Sequence, residues 1–490
     1  VISAADLGLI ALIIPGGTVL VLLMGDAFVP DHRKANLAPL AALGVLSAMV
    51  AAVGAAASGL ADAGNARLYF NDTVAVDNFA VFFQLLFLGL TLLVLMISPT
   101  YLDRRGIQKG EFYILLVAAL TGMMLLVAAT NLITIFVAVE LLSISLYILA
   151  AFLRQQEGSQ EAGLKYLLIG GFASGFLLYG MALLYGATGS TSIPRITAAM
   201  GHLEGDNLLF ASVGIALVLV GMAFKSSAAP FHAWTPDVYQ GAPVPVVAFM
   251  SVGTKVAAIA VFLRIFVVAF SAPAVHSRWS VLLGAVSALS MIVGAVGALR
   301  QPDLKRMLAY SSIAQAGYLL LAAVAAGRPG MVSGLFYLAA YGVMTFGAFG
   351  VLTLVGSGDS DGTSLEAQRG LGYRRPVLGG LLALFMLSLA GLPPTVGFMG
   401  KLFVFEAAVG AGYVGLTVIA IIASAISLYY YLRVVAVVYT PADDAEAASS
   451  TAEPFEPLGT SAVAFAGVLT LLLGVFPGIL YGLAEKASLL

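Results

Sequence analysis

The chain has 490 residues, 61% hydrophobic and only 10% charged, with a formal net charge of −2. An ordinary soluble domain is excluded, and near-neutrality gives no bulk attraction to nucleic acid or acidic lipid; no nucleic-acid motif appears either. The absence of cysteine excludes thiolate-held iron–sulfur clusters, disulfides and a cysteine nucleophile within the chain, and histidines at 32, 202, 232 and 276 are too scattered to form a haem or metal set.

The first stretch, VISAADLGLIALIIPGGTVLVLLMG, has an acidic flank, no basic leader region and no small-residue cleavage site. It reads as a first transmembrane helix rather than a removed signal peptide. A span needs about 20 mostly apolar residues, and by that measure about fourteen are predicted. They lie near 7–27, 37–60, 78–99, 112–129, 131–153, 163–186, 208–229, 244–269, 279–299, 304–326, 331–355, 376–407, 411–439 and 461–482. The twelfth is too long for one straight span and is interrupted at GLPPTVGF, Gly391 to Phe398.

The expected architecture is an all-α integral membrane protein, a single polytopic domain over 1–490. Within it, helices 1–3 occupy 1–110, a first repeat 111–270, a second repeat 279–440, and an acidic loop with the last helix 441–490. Lysine and arginine in the loops set the orientation. One set of loops carries Arg33, Lys34, Arg104, Arg105, Lys109, Arg154, Arg300, Lys305, Arg306, Arg369, Arg374, Arg375 and Arg433; the opposite set carries only Arg67, Arg195, Arg278, Arg328 and Lys486. The first set is therefore predicted to be cytoplasmic, with both termini on the other side, an arrangement that an even number of spans allows.

The most informative stretch is Gly221 to Val247, GMAFKSSAAPFHAWTPDVYQGAPVPVV. Lys225 lies in an apolar helix that Pro230, Pro236, Pro243 and Pro245 then break, with His232 and Asp237 in the break; the next helix carries Lys255. Proline removes a backbone donor and clashes with the preceding turn. Broken backbone at membrane depth is tolerated only inside protein or beside a water-filled cavity.

A weak internal repeat accompanies it. NLITIFVAVELLSISLYILAA can be laid against DLKRMLAYSSIAQAGYLLLAA, with Glu140 opposite Ser311 and Tyr147 opposite Tyr318. The proline breaks SSAAPFHAW and GLPPTVGF follow at matching places. An odd number of spans separates the partners, so two inverted five-helix repeats are expected, near helices 4–8 and 9–13. Paired interrupted helices point to a transporter's ion site.

A charge at the bilayer centre costs at least roughly 2.5–3.5 kcal/mol, so it faces the interior and has a partner or a function. Glu140, Ser143 and Tyr147 form one polar stripe, and Ser251 and Lys255 share a face. A desolvated lysine gives up its proton more readily and a nearby carboxylate reverses this. Glu140 with Lys225 is thus a candidate pair for loading and unloading a proton, with Lys255 next and Lys401 beyond the second break. Each has a structural alternative: Lys225 as a helix-end cap, Glu140 as a packing carboxylate, Lys401 and Lys165 as snorkelling side chains. His232 is a candidate shuttle or an ordinary hydrogen-bonded histidine. Tyr429, Tyr430 and Tyr431 read as packing or interfacial aromatics, the acidic run Asp443 to Glu456 as a solvated loop, and Glu406 stays unassigned.

FKSSAAPFHAWTPDVYQGAPVPVVAFMSVGTK resembles the N subunit of respiratory complex I, the proton-pumping NADH:quinone oxidoreductase. VELLSISLYILAAF, AGLKYLLIGGFASGFLLYGMALLYGATGST, DLKRMLAYSSIAQAGY and AGLPPTVGFMGK support the resemblance, in order, from about the fourth helix to the twelfth. It implies an antiporter-like, proton-translocating subunit of an energy-transducing membrane, bacterial plasma membrane in type. It implies no cofactor in this chain, with FMN, Fe–S clusters and quinone on other subunits. The implied partners are lipid, a sister antiporter-like subunit on one side and small quinone-proximal subunits on the other. Motif by motif, Glu140 and Lys225 become the fifth- and seventh-helix pair, Lys255 the central relay and Lys401 the outlet lysine; Lys165 and His232 are further candidates. Gln240 stands where many relatives have Glu, and Gln315 where many in the wider family have His. The competing readings are a subunit of a multisubunit cation/proton antiporter and a structural scaffold whose buried ions only fix packing.

Overall fold

The computed structural model describes residues 3–58, 66–356, 361–441 and 456–490. Apolar runs become helices here because backbone groups in hydrocarbon must be satisfied within their own segment. The first, α1 (Ala4–Phe28), starts with a capping box in which Ser3 and Asp6 bond each other's backbone. It is followed by α2 (Leu37–Ala57), a hairpin of β1 (Arg67–Tyr69) and β2 (Val74–Val76) paired antiparallel, and α3 (Asn78–Arg104). The sequence reading did not anticipate that hairpin.

The first predicted repeat holds α4 (Gly110–Ala128), α5 (Leu132–Ala150), α6 (Glu157–Thr188), the short α7 (Ile193–Met200), α8 (Gly205–Lys225), α9 (Trp234–Gly241) and α10 (Val244–Val261). The last continues as a π-helix over Phe262–Ala269, where Arg264 pairs with Asp77 at 2.9 Å. The second holds α11 (Pro273–Ala298), α12 (Leu304–Ala325), α13 (Gly327–Val355), α14 (Leu371–Arg374), α15 (Pro376–Ala390), α16 (Val396–Gly410) and α17 (Val414–Val438). The chain ends with α18 (Pro457–Val475) and α19 (Pro477–Ala487).

Among the described residues, 13 helices are long and apolar enough to cross a membrane. The remaining predicted span, near 376–407, is α15 plus α16, 15 residues each. Each half rises about 22 Å at 1.5 Å per residue, short of the ~30 Å hydrocarbon core. Two other boundaries move. The helix expected at 163–186 begins at Glu157, its polar first turns held by a Glu161–Lys165 pair at i,i+4. The one expected at 461–482 divides at Phe476, where Pro477 opens a new helix. Most of the acidic run Asp443 to Glu456 lies outside the described residues.

Helices α10, α12 and α13 are buried along nearly their whole length and form the centre. The outer helices expose Leu20, Val50, Phe172, Val281, Ile422 and Val468, an exterior suited to lipid or to other membrane subunits.

The internal repeat is written in backbone hydrogen bonds. Asn131 caps α5 and bridges Ser192; Asp303 caps α12 and bridges Ser364, the same sequence distance on. Leu132 N donates to Thr191 O and Ile193 N to Thr130 O, matched by Leu304 N to Thr363 O and Leu365 N to Pro302 O. These caps are the first residues of the two aligned segments, and counting on from them sets Glu140 opposite Ser312 and Tyr147 opposite Leu319, each one position beyond the Ser311 and Tyr318 given in the sequence analysis. The start of α5 meets the segment after the end of α6, whereas the start of α12 meets Asp237, the partner of Lys165 in the early part of α6. The two ladders therefore lie at opposite ends of the bundle, as inverted topology requires.

Candidate functional site

Both proline-containing breaks have the same outcome: a half-helix ends inside the protein with its carbonyls aimed at a buried lysine. α8 ends at Lys225, and Ser227 takes a left-handed φ of 61° as the chain leaves. α15 ends at Ala390, and Gly391 does the same at 86°. The negative end of a helix attracts a cation. At the first break Lys255 Nζ donates to Ser226 O at 2.7 Å, and at the second Lys401 Nζ donates to Leu389 O at 3.0 Å and Ala390 O at 2.9 Å.

Lys225, Lys255 and Lys401 are 3%, 0% and 4% exposed. Lys225 Nζ reaches Ser143 Oγ at 2.5 Å and Tyr147 Oη at 3.2 Å, over the rings of Tyr147 and Tyr166. Lys255 also donates to Ser312 O at 2.8 Å. Lys401 completes its three donors with Ser424 Oγ at 2.9 Å. Among the described residues none of these lysines has a carboxylate partner. Glu140 and Lys225, paired in the sequence analysis as proton-exchange partners, are not in direct contact: Glu140, midway along α5 at the rim of the bundle, is half-buried and accepts from Ser174 of α6, while the lysine takes the other two members of the stripe.

Lys165 is placed apart from this row. It is half-buried and bonds Asp237 at 2.7 Å and Glu161 at 2.5 Å. Arg306 holds the other oxygen of Asp237 at 2.7 Å and reaches Gln240 at 3.1 Å. His232 is half-buried in the first break, its Nδ1 enclosed without a hydrogen-bond partner.

Between Lys255 and Lys401 lies a cluster that the sequence reading missed. Ser312 Oγ and Tyr341 Oη are 3.0 Å apart, and Tyr341 donates to Ser251 O at 3.1 Å. Ser311 bonds Tyr431, Tyr337 donates to Gln315 Oε1, and Gln315 Nε2 reaches both Tyr431 Oη and Leu389 O, the carbonyl that Lys401 also uses. Tyr337 lies directly against the backbone of Gly400, where any side chain would collide. Tyr430 and Tyr431, read as packing or interfacial aromatics, are buried, and only Tyr429 is exposed. The missed signal was spacing: Ser424, Ser427 and Tyr431 repeat the i, i+3, i+7 stripe of Glu140, Ser143 and Tyr147. The hydroxyls of Tyr166, Tyr239, Tyr318, Thr235 and Thr345 are also enclosed without a protein partner, the kind of group that ordered water satisfies.

At the basic end, Asp361 gathers Tyr101 at 2.9 Å, Lys305 at 3.0 Å and Arg105. Burial works to raise the Asp361 pKa, but Lys305 and Arg105 outweigh it and hold the carboxyl below its ordinary value. Lys305 also donates to Ala242 O at 2.9 Å, fastening the end of α9.

Residues 129–427 match the family described as NADH:quinone oxidoreductase/Mrp antiporter, TM. A protein of Trichlorobacter lovleyi named NADH-quinone oxidoreductase subunit N is 44% identical over 95% of this chain and 93% of its own length. One of the same name from Salinibacter ruber is 41% identical over 94% and 92%. A chain of respiratory complex I from Thermus thermophilus matches with a TM-score of 0.79 at 37% identity, covering 97% of this chain and 99% of that one. A chain of the Mrp complex from Dietzia sp. has a TM-score of 0.83 at 21% identity, over 99% and 97%, a likeness of fold.

Proposed function

The chain belongs to the N-subunit family of NADH:quinone oxidoreductases, and on that premise we propose that it carries protons through its interior while quinone is reduced elsewhere in the complex. The observation that carries this reading is the row of three enclosed lysines, each held by hydroxyls or carbonyls and none by a carboxylate. A permanently charged, unpaired ammonium in such surroundings is costly, so these groups suit alternate loading and unloading. Carbonyls fix the lysines, and hydroxyls, which both donate and accept, pass the proton with the help of water.

In this reading Glu140 delivers protons from the rim to Lys225 by way of Ser143 and Tyr147. Lys255 is the central station, and Ser311, Ser312, Tyr431 and Gln315 join it to Lys401. His232, with its unpartnered nitrogen in the first break, serves as a side entry. Lys165 acts as a clamp on α9 rather than as a station.

A half-buried carboxylate beside exposed Ile133, Val137 and Ile144 calls for a covering protein. The proposed neighbours are small quinone-proximal subunits at one face and a sister antiporter-like subunit at the other. FMN, Fe–S clusters and quinone belong to other subunits. The membrane is a bacterial plasma membrane, with both termini on the non-cytoplasmic side. The four segments bounded near 110, 279 and 441 are proposed as the units of the domain.

Mild-detergent extraction of the native membrane tests this. Co-migration with flavin- and Fe–S-bearing subunits and NADH:quinone activity is expected. Isolation with antiporter-type partners and no redox cofactor would instead favour a cation/proton antiporter.

A further inference from the structure

At the end of the bundle where Arg105, Lys305 and Arg306 gather, a cavity of about 540 Å³ opens between the α3–α4 and α5–α6 connections. Its lining includes Arg105, Lys109 and Arg154, against a single acid, Glu111. Asp361 already answers Arg105. Lys109 and Arg154 are exposed and have no carboxylate partner among the described residues. Neither α4 nor α6, which both begin at this cavity, has a side-chain cap on its first amides. We propose that this cavity binds a phosphate oxyanion, carried by the headgroup of an anionic phospholipid or by free phosphate.

Basic side chains provide the recognition. A guanidinium presents a planar fork that matches two phosphate oxygens, and a lysine adds a point charge beside it. The uncapped first turns of α4 and α6 add backbone donors and the positive ends of two helix dipoles. The volume falls within the roughly 300–1,000 Å³ of small-ligand sites, room for more than the phosphate itself. Basic pockets between transmembrane helices at the more positive membrane boundary are places where anionic headgroups bind. The Lys225–Lys401 row takes no part, so this site and the proton pathway stand or fall separately.

The test uses the intact membrane complex, purified with a parent chain or with Lys109→Ala and Arg154→Ala together. Retained phospholipid is counted by mass spectrometry after stripping with detergent, and binding of radiolabelled inorganic phosphate is measured in parallel. Loss of one anionic phospholipid per complex in the double variant identifies a lipid headgroup; unchanged lipid with lost phosphate binding identifies free phosphate. Equal lipid and equal phosphate binding in both preparations would overturn the proposal. The exchanged pair Lys109→Arg with Arg154→Lys keeps both charges and should bind more than the double-alanine variant does; binding no better than that variant would also overturn the proposal, because the two positive charges would not be what holds the ligand. Independently of assembly of the variants, a map of the parent complex in anionic-lipid nanodiscs should show phosphate between Lys109 and Arg154; an empty cavity there would count against it equally.

Discussion

Lys255 of α10 donates to the carbonyl of Ser226, the residue after Lys225, at 2.7 Å. A single residue, Ser226, thus lies between two of the three enclosed lysines, and the first helix break is held from its side by a cation. Lys255→Met should release that carbonyl and loosen the break. Hydrogen exchange of amides in 226–233 is expected to quicken in Lys255→Met, and to stay near the parent rate in Lys255→Arg, which keeps a charged donor.

Tyr431→Phe removes the hydroxyl shared by Ser311 and Gln315. Leaving such buried groups unmatched costs about 1–3 kcal/mol. Proton pumping per quinone reduced should fall, while Tyr429→Phe, at an exposed position, should change neither pumping nor thermal stability.

Ser174→Ala removes the donor to Glu140. If the rim carboxylate feeds Lys225, this variant and Glu140→Gln should both slow coupled turnover, the latter by at least about tenfold, a barrier increase of ~1.4 kcal/mol. Steady-state NADH oxidation with and without an uncoupler makes the comparison. Full coupled activity in Glu140→Gln would remove it from the pathway.

Lys165→Ala breaks a partly exposed pairing with Glu161 and Asp237. Exposed ion pairs contribute about 0–1 kcal/mol, and Arg306 still holds Asp237. Pumping is expected to persist, and its abolition in an assembled complex would return Lys165 to the relay.

Asp361→Asn strips the carboxylate from Lys305 and Arg105 at a largely buried site. Breaking a buried pair costs about 3–5 kcal/mol, seen as a lower melting temperature of the purified complex. The pH dependence follows from the lowered pKa. The folded carboxyl binds its proton less readily than the unfolded one, so its stabilisation is complete above the ordinary value of 3.8. It is lost as pH falls from there through the folded value. The parent's advantage over Asp361→Asn should therefore shrink on acidification toward that range.

Much of this architecture was legible in the sequence because membrane helices announce themselves by length and apolarity, and breaks by proline. The matched breaks, the inverted repeat and the interior placement of Lys225, Lys255 and Lys401 follow from those signals. The β1–β2 hairpin did not, because its strands are three residues long and one of them is also bridged to the distant α4–α5 turn, Val74 to Ala129. The hydroxyls that hold Lys225 were less legible than its proposed functional pairing with Glu140. Sequence spacing places a residue on a helix face but not the rotation of α5 against α8, which brings Ser143 and Tyr147 to the lysine. The Tyr431 stripe was hidden by Tyr429 and Tyr430 beside it, although its serines carried the same spacing as the Glu140 stripe.

The most direct measurement is the ratio of protons moved to quinone reduced in liposomes carrying the Lys255→Arg complex. Arginine preserves charge and hydrogen bonding but does not release its proton in a protein. The account predicts an assembled complex that reduces quinone with a lower proton ratio than the parent. An unchanged ratio would show that the proton path does not pass through Lys255.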